Sequence, residues 1–313
     1  MEHYVTLFDS LFLPQGLALH NSMERHIKNY QLWILCVDDV VFEVLTKLNL
    51  INVRLLQLSK LETKELLKIK SERTKGEYCW TLTPFALRFV FEVDQSVARV
   101  TYLDADLWFR KNPIPIFDEF NHSGKDVLIT DHGYAPEYDQ SATSGQYCVQ
   151  FITFSRVGGE VVRKWWEEKC IEWCYARSED GKFGDQKYLD TWPEIFSKQV
   201  HVLANNSIML APWNAKRFPY GPAIFYHFHG LRLNKTKLIM FDGYYIPKVT
   251  YKYVYIPYLS DLKTSIKLLS QTGWECPAQG CRKSIRTKAI LLIKKIINSI
   301  IKNFTYKEIR LKI

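Results

Sequence analysis

Val100-Thr-Tyr-Leu-Asp-Ala-Asp-Leu-Trp-Phe109 is the stretch on which the reading of this chain turns. It begins as an apolar strand, runs into two carboxylates, Asp104 and Asp106, and returns to apolar residues. A carboxylate buried without a partner is costly, so two acids at the end of such a strand call for a compensating positive charge. Residues i and i+2 of an extended chain point to the same side. Asp104 and Asp106 can therefore face one hard divalent cation, Mn²⁺ or Mg²⁺, together with the diphosphate of a nucleotide. Among the 15 Asp of this chain an Asp-x-Asp triplet arises about once by chance. The weight of the motif therefore rests on its flanks.

Upstream, apolar runs alternate with helical patterns. Tyr4–Phe8 reads as a strand ended by Asp9, with Pro14 and Gly16 breaking the chain before a helix from Leu17 to Tyr30. Leu32–Val37 is a second strand, ended by Asp38-Asp39. A helix over Val40–Leu50 follows, then a third strand at Val53–Leu58, and helical segments near Glu62–Glu72 and Pro84–Phe91. Downstream, Val127–Thr130 ends at Asp131, Tyr134–Gly145 is a polar loop, Tyr147–Phe154 is a strand and Glu160–Arg177 is a helix. A strand at Val200–Leu203 and the run Ile224–Gly230, with two histidines, complete the pattern. Such alternation predicts an α/β fold with a mostly parallel central sheet flanked by helices. Ligands of such sheets sit beyond the carboxyl ends of the strands, where Asp9, Asp38, Asp39, Asp104 and Asp106 all fall.

The 313 residues are 47% hydrophobic and 14% aromatic, the composition of a globular chain with a sizeable core. The expected division is a main domain over 1–260 and a helical extension over 261–313. Seven cysteines without a regular framework predict reduced thiols and a cytoplasmic setting. Neither a charged leader with an apolar core nor a run of about 18 uncharged apolar residues is present in the sequence. The net charge of +9 belongs to the last segment: residues 282–313 carry ten Lys or Arg against one acid, Glu308, and the remainder is balanced at 32 of each sign. A nucleic-acid partner for the main body has no electrostatic support.

Four features in order resemble the GT-A-fold nucleotide-sugar glycosyltransferases that include glycogenin and the lipopolysaccharide galactosyltransferases. Tyr102-Leu-Asp-Ala-Asp106 matches their metal-binding motif, and Arg88 matches a basic residue on the preceding helix. Asp185-Gln186 matches an Asp-Gln pair beside the transferred sugar, and His227-Phe-His-Gly230 matches a His-x-x-Gly motif whose His is the third metal ligand. The resemblance covers roughly residues 4–232. It implies a GT-A domain moving a sugar from a nucleotide diphosphate-sugar, UDP favoured, to a glycan or lipid-linked acceptor in cell-surface polysaccharide or lipopolysaccharide synthesis. The implied metal ligands are Asp104, Asp106 and His227, with His229 as the alternative because it points the same way along a strand. Thr6, Phe8, Asp9, Arg88, Asp104 and Arg232 are implied to hold the nucleotide and its phosphates. Asp185, Gln186 and Asp131 are implied to serve the sugar and the acceptor, with retention of configuration favoured. Two departures stand out. Leu231-Arg-Leu-Asn follows the His motif where the family has Lys-Pro-Trp, with Arg232 as a substitute for the lysine, and Tyr147-Cys-Val-Gln-Phe151 replaces an Asn-x-Gly strand, with Gln150 as its polar residue.

Over Lys288–Phe304 the residues Ile290, Ile293, Ile297, Ile300, Ile301 and Phe304 recur at helical spacing, away from Lys294, Lys295 and Lys302. A basic amphipathic helix of this kind suits the anionic inner face of a membrane or packs on protein. Two other readings share the pattern. A sugar nucleotidyltransferase would use a glycine-rich phosphate loop, whereas Asp9–Gly16 has one glycine. A non-catalytic, membrane-recruited adaptor would leave the acidic pair structural.

Overall fold

The apolar runs become a seven-stranded sheet in the computed structural model, which describes residues 1–234, 237–240, 243–276 and 308–310. In chain order its strands are β1 (Glu2–Phe8), β2 (Tyr30–Cys36), β3 (Val53–Gln57) and β4 (Arg99–Leu103). After a short strand outside this sheet, β5 (Leu107–Phe109), come β6 (Val127–Asp131), β7 (Tyr147–Ser155) and β8 (Val200–Val202). The spatial order is β3-β2-β1-β4-β7-β6-β8. All neighbours are parallel except β7, which runs antiparallel to β4 and β6. This reversal matters for the site, because it sets Cys148, Val149 and Gln150, at the start of β7, beside the end of β4.

Helices cover both faces: α1 (Leu13–His26), α2 (Asp39–Leu48), α3 (Lys64–Lys70), α4 (Lys75–Val93), α5 (Ile114–Ser123), the short α6 (Ser141–Ser144), α7 (Glu160–Glu172) and the short α8 (Trp192–Ile195). The period-2 alternation of β1 decides which residue faces which layer. Val5 and Leu7 join the core under α4 and α7, whereas Tyr4 and Phe8 join the core under α1, α2 and α5. Two helices begin earlier than their sequence suggests. Pro14 sits in the first turn of α1, where its missing N–H costs nothing, and Gly16 lets that turn approach the Phe8 ring, since a Cβ there would lie 2.5 Å from it. α4 begins at Lys75 because Thr74 and Glu77 form a reciprocal capping box, and it continues through Pro84.

A second, three-stranded sheet joins β5 to β9 (Met209–Leu210) and β10 (Phe225–His227). A third is built of β11 (Leu231–Asn234), β12 (Lys237–Met240) and β13 (Glu308–Arg310). Continuous helix then runs from α9 (Lys248–Thr250) through a π-turn at Tyr251–Tyr255 into α10 (Ile256–Ser270). Residue 260, the expected division, lies inside α10. Asp261 on that helix accepts from Trp108 Nε1 at 2.6 Å and pairs with Arg25 on α1, anchoring the helix to the strand that follows the acidic pair. Among the described residues no helix is long and apolar enough to cross a membrane. The amphipathic helix expected over Lys288–Phe304 lies outside the described residues.

Candidate functional site

At the carboxyl ends of β1 and β4 the sheet opens into a cavity of about 450 Å³, a size suited to a nucleotide-sized ligand. The acidic pair sits on its floor. Asp104 leaves β4 with its N–H bonded to the Gln150 carbonyl at 3.1 Å, and the chain turns at once, Leu107 N–H returning to Asp104 O at 3.1 Å. β5 then pairs antiparallel with β10, setting His227 opposite Leu107. That pairing brings His227 Nε2 to 3.1 Å from Asp106 Oδ1 and 3.7 Å from Asp104 Oδ2. The ring's other nitrogen is occupied: Nδ1–H donates to Gln150 Oε1 at 2.9 Å. This bond fixes the tautomer that leaves Nε2 free for a ligand, a common arrangement for metal-binding histidines. Among the described residues Asp104, Asp106 and His227 are the group whose ligand atoms lie close enough together to hold a metal ion.

The electrostatics fit the same group. Burial raises the Asp104 carboxyl to about 6, only partly offset by His227. Burial also works to raise Asp106, but His227 and Arg232 hold it well below the usual carboxylate range. His227 is lifted well above the usual imidazole range, Asp106 outweighing the burial that presses it down. A strained carboxylate, an ionised one and an imidazole therefore converge at one point, where a divalent cation would compensate the two carboxylates and take the imidazole as a ligand in place of its proton. His229, by contrast, is pushed down to about 4 by burial and by His227, and it lies outside the ligand group. Since a cation must displace the proton of His227, affinity should rise with pH through the neutral range. Calorimetric Mn²⁺ titrations should show about tenfold or greater weakening in His227→Ala and little change in His229→Ala. Equal losses in both variants would reject the assignment of His227.

Most of the other expected residues meet in the same cavity. Phe8 and Asp9 line it from the end of β1, and Arg232 lies over the Phe12 ring, 3.9 Å from Asp106. Asp9 is fixed from two sides, by Leu11 N–H at 3.0 Å and by Lys75 Nζ at 2.9 Å. Asp185 and Gln186 line another part of the wall, Asp185 near enough to Asp104 to feel its charge. The Asp185 carboxyl is raised to about 8 by burial, against a hydrogen bond from Thr83 that lowers it. Its backbone is held by Trp166 Nε1, which donates to the Asp185 carbonyl at 2.8 Å. Gly184 takes φ +53° against Trp80, where a Cβ would come within 3.2 Å of the indole. Gln186 Nε2 donates to Ser144 O at 2.7 Å and so ties this part of the wall to the loop before β7.

Three expected residues lie elsewhere. Thr6 is buried within β1 and does not reach the cavity, because its neighbours Leu7 and Phe8 form that end of the wall. Arg88 points away from it. Lys75, Cys79 and Thr83 set the cavity-facing side of α4, and Arg88, about two and a half turns beyond Cys79, emerges on the opposite side. There it pairs with Glu92 at 2.7 Å and Glu167 at 3.7 Å. Asp131 accepts from Gly133 N–H at 2.6 Å and Gln146 Nε2 at 2.9 Å, shaping a turn, and its neighbour His132 lines the cavity instead. Sequence reasoning missed Lys75, Trp80, Thr83 and Trp213. The i, i+4, i+8 spacing of Lys75, Cys79 and Thr83 was the available signal, hidden because Pro84 reads as a helix start.

With this geometry in view, comparison with known proteins gives a consistent result. No family model matches the chain. YfnD of Bacillus subtilis (strain 168) is 32% identical over 281 residues, 83% of this chain and 88% of YfnD. The chain belongs to the YfnD family. YfnF of the same organism is 33% identical over 250 residues, covering 74% of this chain and 82% of YfnF. The fold of this YfnD relative is GT-A, and its solved neighbours carry that fold. The galactosyltransferase LgtC, crystallised with donor and acceptor sugar analogs, superposes with a TM-score of 0.51 at 12% identity, over 84% of this chain and 95% of LgtC. The glycosyltransferase GlyE of Streptococcus pneumoniae TIGR4, in its apo form, gives 0.51 at 11% identity over 89% of this chain and 65% of GlyE.

Proposed function

We propose that this YfnD-family protein is a metal-dependent glycosyltransferase, and the observation that carries the reading is the Asp104–Asp106–His227 group on the floor of a nucleotide-sized cavity. Transfer from a nucleotide-sugar breaks the bond between the anomeric carbon and a diphosphate, so negative charge grows on the leaving group. Mn²⁺ or Mg²⁺ held by Asp104, Asp106 and His227 supplies stabilisation of that charge. Arg232, on the same wall, adds a fixed positive charge and is steadied by Phe12. Phe8 and Phe12 offer apolar surface to a base, with Asp9, held by Lys75, oriented towards a ribose hydroxyl.

The sugar belongs at the part of the wall formed by Trp80, Thr83, Asp185 and Gln186. Asp185 orients it through its hydroxyls, and Gln186 lies beside the anomeric carbon. The donor is a UDP-hexose transferred with retention. The acceptor is a glycan or a lipid-linked sugar of a cell-surface polysaccharide or lipopolysaccharide, reached from the cytoplasmic side. A screen of nucleotide-sugars with Mn²⁺, following release of nucleoside diphosphate, tests the reading. One UDP-sugar should be hydrolysed slowly even without acceptor, and NMR of the product should give the configuration. No release from any nucleotide-sugar, with no binding of UDP, would reject it.

A further inference from the structure

We propose that the outer face of the helix from Lys248 to Ser270 is a docking surface for an anionic lipid bilayer. Three large apolar side chains on this segment stand in solvent, Val249 at 53% exposed, Tyr253 at 46% and Ile256 at 52%, and Tyr245, three residues before the helix, is 54% exposed. Soluble surfaces carry single exposed apolar residues without consequence, but here Val249, Tyr253 and Ile256 follow one another at spacings of four and three, which is one side of a helix, with Tyr245 just ahead of them in the chain. Their opposite neighbours are fully committed to the core. Val254, Tyr255, Tyr258, Leu262 and Ile266 pack under α10 with Trp108 and Tyr226. The outer residues are therefore left over after the helix has satisfied its packing.

Charge selects the occupant. Lys248, Lys252, Lys263 and Lys267 are all exposed along the same segment. The segment's single acid, Asp261, is turned inward to Arg25 and Trp108. The face is thus apolar and cationic without a compensating carboxylate of its own. The C-terminal residues 282–313, with ten basic residues and one acid, carry the same sign. A surface of lipid phosphates complements both. Tyr253 and its stacking partner Tyr220, with ring centroids 5.2 Å apart, have the amphipathic character of residues that settle at a lipid headgroup boundary.

The face also begins at the cavity. Tyr244 lines the cavity wall and Tyr245, next in the chain, opens the exposed stripe. The Tyr245 N–H donates to the Tyr138 hydroxyl at 2.8 Å, joining the stripe to the loop between β6 and β7. A bilayer on this face lies against the rim of the cavity, where an acceptor embedded in lipid can enter.

The test uses the full chain and vesicles of phosphatidylcholine with about one third phosphatidylglycerol, against vesicles of phosphatidylcholine alone. It reads binding, so its outcome is independent of any catalytic activity. Wild type should co-sediment with the anionic vesicles and stay free of the neutral ones. Lys252→Glu with Lys263→Glu should weaken that partition by about tenfold or more. Lys47→Glu with Lys68→Glu, an equal charge change on exposed positions elsewhere, should leave it within about twofold. Val249→Ser with Ile256→Ser, which keeps every charge, should also weaken it, and thermal melts of each variant check folding. Failure of wild type to bind anionic vesicles would overturn the proposal, as would equal losses in the face and control lysine pairs.

Discussion

Asp106→Asn should lower release of nucleoside diphosphate from the donor by about a thousandfold or more while the protein stays folded. The substitution keeps volume and one hydrogen-bond acceptor for His227 but removes the negative charge. In the present arrangement Asp106 is the ionised carboxylate of the site, held so by His227 and Arg232. Asp104 is the strained one, raised to about 6 by burial. Losing Asp106 therefore removes the stronger anionic ligand and leaves Asp104, whose ionised form burial disfavours. Initial-rate measurements across Mn²⁺ concentration, with a thermal melt as control, check the result. Added Mn²⁺ should recover little of the lost rate. Near-normal turnover in Asp106→Asn would mean that the group on the cavity floor is structural.

Asp185→Asn should cost about a hundredfold to a thousandfold in turnover and at the same time stabilise the free protein at alkaline pH. The sign follows from burial, which raises the Asp185 carboxyl to about 8 in the fold. Between the unfolded value near 4 and the folded value near 8, the native state binds the proton more tightly than the unfolded chain. Stability therefore falls as pH rises through that window, and it falls because of this carboxyl. Asparagine removes the cost. The variant should match wild type near pH 4 and exceed it by at least about 1 kcal/mol near pH 8. Denaturant melts at the two pH values measure the difference. A variant that loses stability at pH 8 and retains full turnover would show that Asp185 is an ordinary structural acid.

Such a trade of stability for chemistry is one reason the site was partly legible in the sequence. Buried acids at strand ends have no structural benefit, so Asp9, Asp104 and Asp106 stood out, and all three line the cavity. The strands were legible because their apolar runs are short and bounded by turn residues, and the sheet they form is mostly parallel as expected. Helix faces were harder. Arg88 sits on the expected helix, but its direction depends on where that helix starts, and the capping box at Thr74 was obscured by the conspicuous Pro84. His227 and His229 share a strand side in sequence terms, and only the β5–β10 pairing, a contact between segments over a hundred residues apart, distinguishes them. Asp131 ends a strand as Asp9 does, yet a tight turn at Gly133 uses its oxygen locally. Register and turn geometry of this kind are tertiary properties, and residue spacing does not encode them.

Calorimetric titration of UDP into the full chain, with Mn²⁺ and then with excess chelator, tests the central claim most directly. The Asp104–Asp106–His227 group, placed beside Arg232 at one end of the cavity, requires the diphosphate and the cation to bind together. Binding in the presence of Mn²⁺ should fall by about tenfold or more when the metal is removed. UDP affinity that is the same with Mn²⁺ and with chelator would contradict the account.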